Sequence, residues 1–221
     1  MDWQAILLSL KLALWVVVLL LPVGLLLAWP LVFARFRGKV VLDALVSLPL
    51  VLPPTVLGFY LIVAMGPRSP IGRAWEAVTG HTLVFSFSGL VVASVFLNVP
   101  FFIQPFVSAL AGVDRKLLEA AATLGAGPVG IYFRVAVPLA WRGLVAGIIM
   151  TFAHAIGEFG VVLMVGGNLP GVTRTAAIAL FDQVQALDLA GANQTALFLL
   201  ALSFAVLLCT SLLRAKERPW S

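Results

Sequence analysis

Two ionisable side chains interrupt an otherwise apolar run, His154 and Glu158 in "TFAHAIGEFGVV" (151–162). Four residues apart on a helix, they share one face, a spacing used by metal sites and proton relays. An ionisable group at membrane depth is a functional hypothesis by default. A metal would need a third ligand, and the surrounding sequence offers none. Gly157 and Gly160 bracket the carboxylate, and closely spaced glycines are where a helix breaks. Gly157, Glu158 and Gly160 are therefore assigned a structural or gating role. The carboxylate is expected to satisfy backbone N–H groups at the break or to meet a partner helix. No catalytic residue and no metal ligand is assigned.

Thr55, Ser94 and Asn98 are the neutral hydrogen-bonding groups most suited to lining a path through the membrane. Pro53, Pro54 and Pro100 beside them remove backbone donors and bend helices. The competing reading is that such residues only bridge neighbouring helices. A phosphate-binding loop needs Gly-Lys followed by Ser or Thr, whereas Gly38-Lys39 is followed by Val40. Any ATP and Mg belong to another chain, and this one is assigned no cofactor. The Ser/Lys, paired-Asp and His-Glu-His constellations of intramembrane peptidases are absent. Cys209, the single cysteine, has no internal disulfide partner.

The elements that must position these groups follow from hydropathy. Hydrophobic residues make up 62% of the 221, and the mean hydropathy is +1.12. Soluble domains run at roughly 45–50% apolar, so this chain has too little polar surface for water. A helix needs about 20 residues to cross a bilayer. Charge-free intervals place five spans near 12–34, 44–66, 83–110, 137–165 and 190–213, in one domain covering 1–221. These lengths fit an all-α integral membrane protein and not the ~10-residue strands of a barrel. The first apolar run is longer than a signal-peptide core, and "RFRGK" (35–39) follows it as a stop-transfer flank, so it is read as a span.

Orientation follows the cationic loops. With five spans, Arg35, Arg37, Lys39, Arg115, Lys116, Arg134, Arg142, Arg214, Lys216 and Arg218 share one side, ten of the 14 Lys and Arg. That side is expected to be cytoplasmic, leaving the N-terminus periplasmic. The net charge of +5 then reflects insertion into the lipid membrane, and no nucleic-acid partner is implied.

The loop at 112–136 falls on the cytoplasmic side, yet it has the marks of ordered structure. Asp114 suits a helix N-cap, Gly125 and Gly127 suit its end, and Pro128 suits the first turn of a second helix. Within it, Glu119-Ala120-Ala121, Gly125 and the apolar-x-apolar-Pro run ending at Pro138 resemble the EAA loop of the permease subunits of ABC importers. The stretches "LPLVLPPTVLGFYLIVAMG" (48–66), "GVDRKLLEAAATLGAGP" (112–128) and "AIGEFGVVLMVGGNLPGVTRT" (155–175) are similar to the molybdate permease family. Sulfate and thiosulfate permeases resemble the chain too, particularly around Gly157–Gly160, and tungstate would share a molybdate path.

The resemblance implies a type I ABC importer permease fold in the cell inner membrane. It implies a homodimer served by two ABC ATPase subunits and a periplasmic molybdate-binding protein. Glu119, Ala120, Ala121, Gly125 and Pro138 would then couple to the ATPase. Arg174, in the outer stretch 167–188, would be available to an acidic residue of the binding protein. A channel or secondary transporter is the rival reading; it would have no use for a coupling loop, and no inverted repeat is evident.

Overall fold

The computed structural model describes residues 2–215, and all of its regular structure is helical. Lys216 and Arg218, counted above for orientation, lie outside the described residues. Helix α1 (Trp3–Val32) begins where Asp2 accepts a hydrogen bond from Ala5 N at 3.0 Å. It starts well before residue 12, so Lys11 lies inside it. The charge does not end the helix, because the ammonium sits 4.7 Å from the centroid of the Phe87 ring.

The interval 44–66 is not one straight helix. It folds as α2 (Lys39–Val51) and α3 (Pro54–Met65), bent by 113°. Leu52 precedes Pro53 and is extended, with φ −69° and ψ 135°. The proline ring disfavours the helical region for the residue before it. Pro54 then opens α3, where a missing N–H costs nothing. A short helix not expected from hydropathy follows, α4 (Pro70–Thr79). Ser69 Oγ accepts from Gly72 N at 2.8 Å at its start, and Gly80 at φ 76° closes it.

Next come α5 (Phe87–Ala111) and the loop helix α6 (Arg115–Thr123). The chain returns through α7 (Pro128–Ile131), a π turn at Tyr132–Ala136 and α8 (Val137–Leu139). This returning segment is bent by 72° against α9 (Trp141–Gly157). Extended Glu158 separates α9 from α10 (Gly160–Gly166), so the interval 137–165 is interrupted as well. Helices α11 (Ala176–Gln185) and α12 (Leu189–Ala215) complete the order. Three helices, α1, α5 and α12, are long and apolar enough to cross alone. The count reaches five when each bent pair is taken as one span.

Helix α5 is the centre of the packing, with α1 and α9 on its flanks. Phe102 and Phe106 of α5 are completely buried. Without a hydrophobic drive between helices in lipid, close approach depends on small residues. A Cβ on Gly147 would stand 2.5 Å from Phe102 O, and one on Gly143 would stand 2.7 Å from Pro105 O. Helix α3 lies against α10 in the same manner. There a Cβ on Gly58 would meet Met164 Cβ at 2.8 Å, and one on Gly160 would meet Pro54 Cβ at 2.8 Å. Far along the chain, Ser9 Oγ of α1 accepts from Ala176 N at 2.8 Å and so caps α11. Of the three long apolar helices α12 is the least packed, with 11% of its apolar window buried within the chain.

Gly147→Leu is expected to destabilise the chain by about 1–3 kcal/mol through overpacking. Gly130→Ala, where an added Cβ has no neighbour within 4 Å, is expected to stay within about 0.5 kcal/mol of the parent. Thermal unfolding of the two variants in detergent checks the contrast.

Candidate functional site: a protruding loop and a buried polar cluster

The loop is built to be exposed and rigid at once. Asp114 Oδ1 accepts from Lys116 N at 2.9 Å and starts α6, of which no residue is buried. Glu119 and Ala120 are exposed and Ala121 is half-buried. The helix is closed by Ala126 N donating to Ala121 O and Gly125 N donating to Ala122 O, both at 3.0 Å. This pair of bonds needs a left-handed residue at Gly125, whose φ is 85°. Nothing lies within 4 Å of a Cβ built there, so the demand for glycine is conformational.

The returning limb is anchored in the core. Tyr132 is 3% exposed and donates from its hydroxyl to Leu25 O of α1 at 2.6 Å. Its ring meets the Phe33 ring edge-on at 6.0 Å. Tyr132, Ala136 and Ala140 form one apolar cluster with Ala28 of α1 and with Phe106 and Leu110 of α5. The π turn sits just before Pro138, which has no N–H to donate, and Val137 N reaches back to Tyr132 O instead. Pro138 itself is exposed. Tyr132 was not singled out by motif reading. The four-residue recurrence of Tyr132, Ala136 and Ala140 is the signal that marks this buried face.

A second arrangement lies between α5 and the α9–α10 break. Asn98 is fully buried and donates from Nδ2 to Ser94 O at 2.8 Å and to Glu158 Oε2 at 3.4 Å. His154 Nδ1 is 3.0 Å from Asn98 Oδ1, so the pairing assigns the proton to Nδ1. The imidazole stacks on Phe101 at 3.8 Å. Ser94 Oγ, Thr151 Oγ1 and Glu158 Oε1 are buried with no hydrogen-bond partner. The cluster therefore joins two helices through a single amide.

Gly157 and Gly160 flank the break, and of the two expected partners of the Glu158 carboxylate the structure shows the neighbouring helix, through Asn98 of α5. Ser94 and Asn98 are enclosed within the chain, with Asn98 beside the Glu158 carboxylate. Thr55 is exposed on the first turn of α3, next to the Pro54 contact with Gly160. Arg174 is not a free cation: Nε donates to Asn168 Oδ1 at 2.8 Å and lies 3.4 Å from Asp182 Oδ2. Asn168 Nδ2 also donates to Asp182, which closes a three-residue network over the outer turn.

Asn98→Leu is expected to cost about 1–3 kcal/mol, because it strands buried polar groups on two helices. Asn98→Leu combined with Glu158→Leu is expected to cost less than the sum of the single changes, with a coupling of about 1 kcal/mol or more. A double-mutant cycle by thermal unfolding checks this, and strict additivity would remove the cluster as an interaction.

A family model described as the binding-protein-dependent transport system inner membrane component matches residues 20–218. The chain is 51% identical to the molybdenum transport system permease protein ModB of Azotobacter vinelandii over 206 residues, 93% of this chain and 91% of that one. It is 42% identical to the molybdenum transport system permease protein ModB of Escherichia coli (strain K12) over 184 residues, 83% of this chain and 80% of that one. Among solved structures, a chain of the inward-facing MetNI methionine ABC transporter matches with a TM-score of 0.71 and 20% identity, over 98% of this chain and 94% of that one. That likeness concerns the fold. With helices of this order, a protruding capped loop and these matches in hand, the chain belongs to the family of binding-protein-dependent transport system inner membrane components and has the fold of an ABC importer permease.

Proposed function

We infer that this chain is the membrane-spanning subunit of an ATP-driven molybdate importer. The observation that carries the substrate is its 51% identity, over 93% of its length, to a molybdenum transport permease. The chain works as a homodimer with two ATPase subunits, and a periplasmic protein delivers the oxyanion. The N-terminus faces the periplasm, and the loop at 112–136 faces the cytoplasm.

The loop geometry supports a coupling role. An exposed helix with a capped start, a locked glycine end and a core-anchored return limb transmits a push without absorbing it. Ala120 and Ala121 allow close approach by the ATPase, and Glu119 offers it a carboxylate. Gly125 and Pro138 fix the directions in which the chain leaves and re-enters the membrane. ATP binding draws the ATPases together and tilts the permease outward-open, and hydrolysis returns it inward-open. Thr55, Ser94 and Asn98 are the candidates for the anion path, and of these Thr55 is the exposed residue. Neutral donors suit a step that must release its anion as readily as it admits it.

Uptake of labelled molybdate, tungstate and sulfate by vesicles holding the full complex tests the substrate. Molybdate transport that requires ATP is the expected result, and a preference for sulfate overturns the substrate while leaving the permease assignment intact. Glu119→Ala is expected to leave membrane insertion unchanged and to weaken association with the ATPase about tenfold, the loss of a ~1.4 kcal/mol contact. Co-purification at graded salt measures it, and undiminished association and uptake would remove Glu119 from the interface.

A further inference from the structure

A cavity of about 510 Å³ opens where the C-terminal ends of α1 and α5 meet the first turn of α6. Phe33 and Leu110 contribute to its apolar wall. Arg35 and Lys39 from the α1–α2 connection, and Arg115 from α6, also line it, with Glu119 as the one carboxylate. Lys39 Nζ makes a long bond of 3.4 Å to Val32 O. Arg35 and Arg115 are exposed, and among the described residues neither forms an ion pair.

Three cations facing one carboxylate leave an unbalanced positive field, and the volume is in the range of about 300–1,000 Å³ that small-molecule sites occupy. The wall behind the charges is apolar and lies at the ends of two membrane helices, where hydrocarbon gives way to headgroups. A soluble anion uses the charges alone, whereas an amphiphile uses charges and wall together. Guanidinium groups pair with phosphate oxygens in a planar fork, and basic pockets between membrane helices take anionic headgroups.

We propose that this cavity binds the phosphate headgroup of an anionic phospholipid of the cytoplasmic leaflet, held by Arg35, Lys39 and Arg115. The bound headgroup ties the α1–α2 connection to the first turn of the coupling helix, so the lipid becomes part of the joint that the ATPase moves. The choice of leaflet rests on the orientation proposed above; the chemistry of the cavity does not.

The test titrates the detergent-purified full chain with dioctanoyl phosphatidylglycerol, dioctanoyl phosphatidylcholine and inorganic phosphate, read by native mass spectrometry. Saturable binding of phosphatidylglycerol, one per permease chain and at least tenfold tighter than phosphatidylcholine, is the expected result. Arg35→Gln with Lys39→Gln should weaken it at least tenfold, and Arg35→Lys with Lys39→Arg should restore it, which separates lost charge from lost folding. Equal binding of the two lipids, or undiminished binding by the Gln variant, overturns the proposal. Charge-dependent binding of inorganic phosphate without phosphatidylglycerol binding overturns the lipid assignment. Because the titration uses no membrane sidedness and no transport, it stands apart from failure of the importer reading.

Discussion

Hydrocarbon offers a polypeptide no hydrogen-bond partner, so every interruption of a membrane helix must be closed by the protein itself. At two of the interruptions in this chain, Leu52–Pro53 and Glu158–Phe159, the helices that follow are placed against each other. Pro54 abuts Gly160, and Gly58 abuts Met164. At the first break the prolines remove donors that would otherwise be orphaned. At the second, the side chain of Glu158 is fastened to α5 through Asn98. The two weak points of the membrane domain thus share one seam, and the bends in the fold follow from how that seam is closed.

The same economy of freedom appears in the loop. A displacement applied to α6 reaches the membrane helices only if the joints between them resist rotation. Asp114 fixes the entry, Gly125 fixes the reversal, and Tyr132 fixes the return by a hydroxyl bond to α1 and packing under Phe106 and Leu110. Each joint is a different device: a side-chain cap, a backbone conformation and a buried aromatic. Between them the chain has no long unstructured stretch in which a push would be lost as conformational entropy.

Legibility in the sequence followed the range of the interaction. The apolar intervals, the cap at Asp114 and the turn at Gly125 are local, and residue types a few positions apart announce them. Hydropathy measures how much a segment favours lipid, but it carries no direction, so the 113° bend at Leu52 lay hidden inside one apolar run. Helix α4 was passed over although "SPIGRAWEAVTG" (69–80) carries a serine cap, a proline at the first turn and a closing glycine. The contacts of Glu158 with Asn98, 60 residues away, and of Tyr132 with Leu25, 107 away, have no local signature. Arg174 fell between these cases: Asp182 is eight positions on, but only the turn at Asn168 brings the two together.

The placement of charge bears on how the second break is held. Among the described residues, the spans hold one buried carboxylate, Glu158, while Lys11 lies close over an aromatic ring. A carboxyl buried without a cation partner is costly in its charged form, so its fastening rests on the hydrogen bond from Asn98. Enclosing Glu158 behind α5, with Asn98 as its partner, keeps the carboxylate as a fastening for the helix break and away from any open surface.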